Sequence, residues 1–224
     1  FFEYKENNFT VKDVIDDLKA SDNLYGKKSK YLEFIESSLK TSPIISKDYL
    51  QNHDLRANSL PVKSRFRIYQ VLNKLESSER KEVFDFLKGR SEILSEKAVN
   101  KLLEFNFLLL DGSFGKLSNE KEITMFFRKH LTKKHSQKAL IPEMPAPSAL
   151  SIPDDVCHYD ESELRTLTVR EMARIQSFPD SFVFKSKVTT GGKMRKFEVP
   201  QYTQVGNAVP PILGVAIGKV IKNI

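Results

Sequence analysis

"TVREMARIQSFPDSF", residues 168–182, is the stretch that decides how this chain is read. Thr168 followed three residues on by Glu171 is a capping box, so a helix starts there. The hydroxyl takes one free N–H of the first turn, and the carboxylate returns to another. Val169, Met172, Ala173 and Gln176 then share one side, while Arg170 and Arg174, four residues apart, share another. By pattern alone this is a capped surface helix packed through Val169 and Met172. Phe178-Pro179 stops it, and the following "FVF" reads as a short strand.

Twenty residues further on, "YTQVGNAVPP", residues 202–211, is punctuated differently. Gly206-Asn207 reads as a turn pair, and Pro210-Pro211 begins a helix but never sits inside one. That helix, "ILGVAIGKVI", is apolar nearly all round and is therefore expected to be buried. Gly214 and Gly218, one turn apart, leave room for another element to approach. Free N–H groups at such a helix start suit a carboxylate or another anion.

Upstream, Thr10 caps a short helix in which Val11, Val14, Ile15 and Leu18 share a face, with Asp13 near its positive end. Residues 21–30 form a polar loop carrying lysines. "YLEFIESSLKTSPIIS" fits either a short helix or a strand-like turn ended by Pro43. From 61 to 131 the reading is mostly helical. "VKSRFRIYQVLNKL" puts Val62, Phe66, Tyr69 and Leu72 on one side, and Lys63 and Arg67 on another. "ERKEVFDFLKG" and "SEKAVNKLLEFNFLLLDG" each end at a glycine, the usual helix terminator. Ile123, Phe126, Phe127, His130 and Leu131 have the spacing of one buried stripe. Residues 133–153 then hold four of the ten prolines and no helical period, so extended backbone is expected there.

Lys and Arg outnumber Asp and Glu by 36 to 29, and the resulting +7 permits a polyanionic partner without requiring one. A single cysteine, Cys157, excludes an internal disulfide, fits a reducing cytoplasm, and reads as a structural, half-buried residue. No apolar run approaches the length needed to cross a bilayer, and no membrane partner or leader is expected. The four histidines lack ligand spacing, so no metal site is expected. The chain opens Phe-Phe rather than with Met, which suggests a piece of something longer.

"LTVREMARIQSFPDSF" resembles motif IX of the cytosine-C5 DNA methyltransferases, and "YTQVGNAVPPILGVAIG" resembles their motif X. "MPAPSALSIPDDVCHY" is similar to the stretch leading into motif IX, and "FTVKDVIDDL" to the segment after motif VIII. The resemblance implies a mixed α+β fold in which a mainly helical target-recognition domain carries a few strands around motif IX. The C-terminal helix would belong to a Rossmann-like, S-adenosyl-L-methionine-dependent domain absent from this chain. Its implied boundaries are 1–20 for the segment after motif VIII, 21–164 for the recognition domain and 165–224 for motifs IX and X. The helical block of that domain runs over about 60–132, and its proline-rich stretch over 133–153.

The same resemblance implies chemistry and partners. In such enzymes the target cytosine is flipped out of the duplex, a cysteine thiolate adds to C6, a glutamate assists at N3, and C5 takes the methyl group. Asn207, Ala208 and Val209 would lie beside the methionine part of S-adenosyl-L-methionine. Thr168, Arg170 and Glu171 would be structural, with Arg170 organising the base of the recognition domain. No catalytic residue is carried here, because the family's Pro-Cys pair, Gly-rich cofactor loop and Glu-Asn-Val are absent from these 224 residues. The chain would then be inactive alone. Its partners would be double-stranded DNA and an N-terminal catalytic half, on the same polypeptide or a separate subunit, in a cytoplasmic, bacterial restriction–modification system. Lys63, Arg65, Arg67, Arg128, Lys129, Lys133 and Lys134 are candidate DNA phosphate contacts, or else solvated helix faces. Residues 189–197 form a flexible basic loop that approaches DNA or simply closes a hairpin. A recognition module without catalysis and a tRNA methyltransferase fragment remain as alternatives.

Overall fold

The computed structural model describes residues 8–20, 29–41, 50–134, 137–148, 156–189 and 197–222. The polar loop, the turn at Pro43, the proline-rich stretch beyond 148 and most of the 189–197 loop lie outside them. The chain divides into two compact units, residues 1–55, 141–153 and 167–224, and residues 56–140 and 154–166. These divisions differ from the sequence boundaries at 20 and 164, because the first unit gathers three separated pieces of chain.

In the first unit, Thr10 caps α1 (Val11–Ile15) through a capping box with Asp13, and a 3-10 turn, Asp16–Leu18, continues it. Val11, Val14, Ile15 and Leu18 are all buried, as their spacing requires. The first N–H groups of α1 find carbonyls across the unit, Val11 to Met144 O at 2.9 Å and Lys12 to Pro142 O at 3.0 Å. α2 (Lys30–Leu39) starts at the Ser29 cap, so the ambiguous stretch is a helix. α7 (Val169–Ile175), α8 (Gln201–Asn207) and α9 (Pro211–Lys222) complete the unit. α7 packs on α1 and α8, and α9 lies beside α2.

Two readings need correction here. "FVF" is not a strand: with no strand beside it among the described residues, the backbone groups of Phe182 and Phe184 bond the Arg170 and Asn52 side chains. Gly206 and Asn207 are not a separate turn but the last residues of α8, whose helix is held by buried Tyr202 and Val205. The break falls later, at residues 208–210, where Pro210 and Pro211 forbid continuation. α9 alone is 12 residues, about 18 Å long, short of the ~30 Å core of a bilayer.

The second unit is built on α3 (Leu60–Leu72), with α4 (Ser77–Leu87), α5 (Glu96–Leu102) and α6 (Glu120–Arg128). Phe66, Tyr69 and Leu72 of α3 meet Val83, Phe86, Leu102, Ile123 and Phe127 in one core. Gly89, at φ 68°, ends α4 as expected of a terminator. Gly112 does not end a helix. α5 stops at Leu102, and "NFL" forms β1 (Asn106–Leu108), antiparallel to β2 (Phe114–Lys116), with Gly112 at φ 89° in the turn between them. β3 (Lys138–Ala139) and β4 (Val156–Cys157) form a short parallel pair. The described strands therefore make two two-stranded sheets in a mainly helical, mixed fold. The buried stripe runs through Ile123, Phe126 and Phe127 of α6 to His130 just past its end, but not to Leu131, which is 48% exposed.

Candidate functional site

α7 begins as its sequence demands. The Thr168 hydroxyl accepts from Glu171 N at 3.2 Å, and the Glu171 carboxylate accepts from Thr168 N at 2.7 Å. It is not a surface helix, however. Every residue from Val169 to Arg174 is buried, and the two arginines are among the largest fully buried side chains. Buried guanidinium groups need acceptors for their donors, and distant chain segments bring them. Asp180 takes Arg174 Nε and Nη2 as a fork at 2.9 and 2.7 Å, while Nη1 donates to Asp17 at 2.6 Å and Val14 O at 3.2 Å. Arg170 reaches neutral acceptors: Gln51 O at 3.0 Å, Pro179 O at 3.1 Å and Phe182 O at 2.7 Å.

The difference in acceptors sets the electrostatics. Burial pulls the Arg170 pKa down to about 10, with Asp180, 3.9 Å away, opposing it. Burial also works against the charge on Arg174, but the Asp180 and Asp17 carboxylates overcome it and raise its pKa. Both side chains are cations at neutral pH, fully committed to structure. Tyr31 adds to this cluster by donating to Arg174 O, and burial raises the pKa of its phenol.

Asn52 and His53 belong to the same cluster and went unnoticed in the sequence, where "QNHD" has no periodicity or spacing to flag it. His53 Nδ1 lies 2.9 Å from Thr168 Oγ1, and His53 Nε2 lies 3.0 Å from Leu18 O. The only available clue was an asparagine, which tolerates the left-handed backbone that Asn52 adopts at φ 64°.

The expected cofactor-side residues leave this cluster through α8. Asn207 is its exposed last residue, Ala208 is extended at φ −74° and ψ 146°, and Val209 is 64% exposed. Fewer free N–H groups are present at the start of α9 than the sequence suggested, since Pro211 has none and Ile212 N donates to Ser177 Oγ at 3.2 Å. α9 itself has no buried residue, contrary to the expectation from its composition. Leu213, Ile217, Val220 and Ile221 remain open, and Gly214 and Gly218 face space.

In the second unit, Lys63, Arg128, Lys129, Lys133 and Lys134 are exposed and Arg65 is half-buried. Arg65 of α3 and Lys129 after α6 both help to hold the pKa of the buried His130 ring below its ordinary value, after burial itself. Arg67 does not join them. It is 4% exposed, with Nε on Asn106 O at 2.8 Å and Nη1 on Glu161 at 2.9 Å, so it is a core residue rather than a phosphate contact. Cys157 is buried completely rather than by half, and burial pushes its thiol well above the ordinary range. A nucleophilic cysteine needs the opposite environment.

Comparison with known proteins gives the lineage. The family model for C-5 cytosine-specific DNA methylase matches residues 2–223. Type II methyltransferase M.Bpa9945I of Bacillus paralicheniformis is 45% identical over 67 residues, 30% of this chain and 13% of that protein. Putative type II methyltransferase M.OihORF3336P of Oceanobacillus iheyensis is 25% identical over 225 residues, 95% of this chain and 44% of that protein. Type II methyltransferase M.AquIB of Picosynechococcus sp. is 38% identical over 87 residues, 38% of this chain and 61% of that protein. In each case the match spans less than two thirds of the relative's length. A capped α7 with two buried arginines, an α8–α9 exit and a match over nearly every residue agree: the chain belongs to the C-5 cytosine-specific DNA methylase family.

Proposed function

We propose that this chain is the target-recognition and closing part of a DNA (cytosine-5)-methyltransferase and is inactive in methyl transfer by itself. The observation that carries this reading is the state of Cys157. The only cysteine in the sequence follows Val156 instead of a proline, is fully buried and holds its proton tightly. A thiolate for C6 must come from elsewhere, on the same polypeptide or on a separate subunit.

The roles divide accordingly. The recognition domain, placed at 21–164 by the sequence boundaries, has as its insert the second unit, residues 56–140 and 154–166, and 1–20 and motifs IX and X in 165–224 flank it. Lys63, Arg65, Arg128, Lys129, Lys133 and Lys134 meet DNA phosphates, which gives position and affinity but no sequence information. S-adenosyl-L-methionine supplies the methyl group when bound. Exposed Asn207, extended Ala208 and apolar Val209 offer an amide, backbone groups and a methyl surface, which fits one wall of its methionine side. The open apolar face of α9 supports a role in covering the cofactor-binding half. Arg170 and Arg174 keep the base of the recognition domain in place without touching the reaction. The type II names of the relatives favour a bacterial restriction–modification enzyme, working on DNA in the cytoplasm.

Transfer of labelled methyl groups from S-adenosyl-L-methionine to duplex DNA and to tRNA tests this. The chain is assayed alone and together with the polypeptide that supplies a Pro-Cys loop. Label in DNA only with both parts present is the expected result. Label from the chain alone refutes the division of labour, and label in tRNA but not DNA moves the substrate. Salt-sensitive DNA binding with no transfer in any arm leaves a recognition module without catalysis.

A further inference from the structure

We propose that Asn52 and His53 are positioning residues for DNA recognition, because they fasten together the two chain segments between which the second unit is inserted. The inference rests on reading that unit as the recognition insert. The chain leaves the first unit after Leu55 and finally returns to it at Leu167. Residues 51–53 stand just before the exit, and residues 168–170 just after the return. Within the first unit these two trios are bonded directly. Arg170 N donates to Asn52 O at 2.8 Å, Arg170 Nε to Gln51 O at 3.0 Å, and His53 Nδ1 meets Thr168 Oγ1 at 2.9 Å.

The proton positions follow from the acceptors. Leu18 O can only accept, so His53 Nε2 carries its hydrogen; in the neutral ring Nδ1 then accepts from the Thr168 hydroxyl. Thr168 Oγ1 is left to accept from Glu171 N, so clamp and helix cap use different sides of one oxygen. Asn52 is satisfied more completely still. Its Nδ2 donates to Phe184 O at 2.9 Å and Gln201 Oε1 at 3.1 Å, and its Oδ1 accepts from Phe184 N at 2.9 Å and Arg170 Nη2 at 3.4 Å. All four bonds of the amide are made, from a left-handed backbone, by a residue 6% exposed. One residue thus joins the exit turn to α7, to the 182–184 stretch and to the first residue of α8. Another passage of the chain is held as well, where Pro142 O and Met144 O, shortly after Leu140, accept from α1.

A clamp at the neck of an insert limits the arrangements that the insert samples. Releasing it costs binding at the DNA step while leaving the reacting atoms undisturbed. In the assembled, active enzyme, His53→Ala and Asn52→Gly should raise KM for DNA about tenfold, with kcat and the Kd for S-adenosyl-L-methionine within about twofold. Glycine at position 52 keeps the left-handed backbone and deletes only the amide. His53→Gln, which retains a donor and an acceptor, should recover most of the loss, and it carries the comparison if the alanine variant fails to fold. Amide exchange at Phe184, whose N–H bonds the Asn52 side chain, should quicken in Asn52→Gly, while Arg170 N–H, bonded to the residue 52 carbonyl that glycine keeps, and Leu140 N–H, bonded to Cys157 O, should change little. An unchanged KM for DNA, or equal losses in kcat and cofactor binding, overturns the proposal. If the parent enzyme methylates no DNA, the recognition reading fails before any variant is made, and the clamp is judged on amide exchange alone.

Discussion

Arg174 and Arg170 sit one helical turn apart, and they differ in carboxylates: Arg174 holds Asp17 and Asp180 at 2.6 and 2.7 Å, whereas Arg170 has Asp180 only at 3.9 Å. Removing the Arg174 side chain, as Arg174→Met, leaves half-buried Asp17 without this partner and Asp180 with only Arg170 at 3.9 Å. Breaking a buried pair in this way costs about 3–5 kcal/mol, read as a shift in the urea midpoint. Arg170→Met strands only carbonyls and an amide, so it should cost less; a larger loss at Arg170 would contradict the charge assignment. His130 makes a second prediction with a definite sign. Its Nδ1–H donates to Phe126 O at 2.8 Å, and burial, then the cations Arg65 and Lys129, holds its pKa below the ordinary 6.5. The unfolded chain therefore takes up this proton first as pH falls. The stability contribution is intact above about pH 6.5 and is lost progressively below it. Urea midpoints at pH 7.5 and 5.0 should fall for the parent chain and fall by less for His130→Phe; equal slopes would place the titration elsewhere.

Helix starts were legible because their chemistry is local. Thr10 with Asp13 and Thr168 with Glu171 bond across three residues, and the sequence states both partners side by side. Burial of α7 was not legible, because beside the nearby Asp180 its arginines need Asp17, Gln51 and Asn52, more than a hundred positions away. The β1–β2 hairpin was hidden for a different reason. A glycine after an apolar run reads equally well as a helix terminator or a turn, and only the positive φ of Gly112 between paired strands decides. For α9 the composition misled in a useful way: a helix apolar on all sides ought to be covered, and within this chain it is not. Ile217→Lys with Ile221→Lys should change the unfolding free energy by less than about 0.5 kcal/mol, since both side chains are already exposed. The same pair should abolish association with the proposed Pro-Cys half, visible by sedimentation. A large loss of stability would mean that α9 is packed in the free chain.

At the scale of the whole molecule, the division into units was the least legible feature. Residues 141–153 and 167–224 rejoin 1–55 through contacts that no window of sequence displays. The charge balance of +7 was plain from the start, yet only the structure separates structural cations from available ones. Arg67 is held by Asn106 O and Glu161, whereas Arg128 and Lys129 stand exposed at the end of α6. That distinction makes opposite predictions for two measurements. Each lysine or arginine that neutralises a phosphate contributes about 0.9 to the slope of log K against log salt. Replacing Arg128 and Lys129 together by alanine should therefore lower the slope of the assembled enzyme on duplex DNA by about 2 and leave its melting temperature within a few degrees. Arg67→Met should do the reverse, lowering the melting temperature by leaving the part-buried Asn106 carbonyl without its donor and disturbing a site filled by a buried side chain, with the slope unchanged under conditions where the variant is folded. A slope that falls on losing Arg67 but not on losing Arg128 and Lys129 would put the DNA on a different face of the second unit and remove these two residues from the interface.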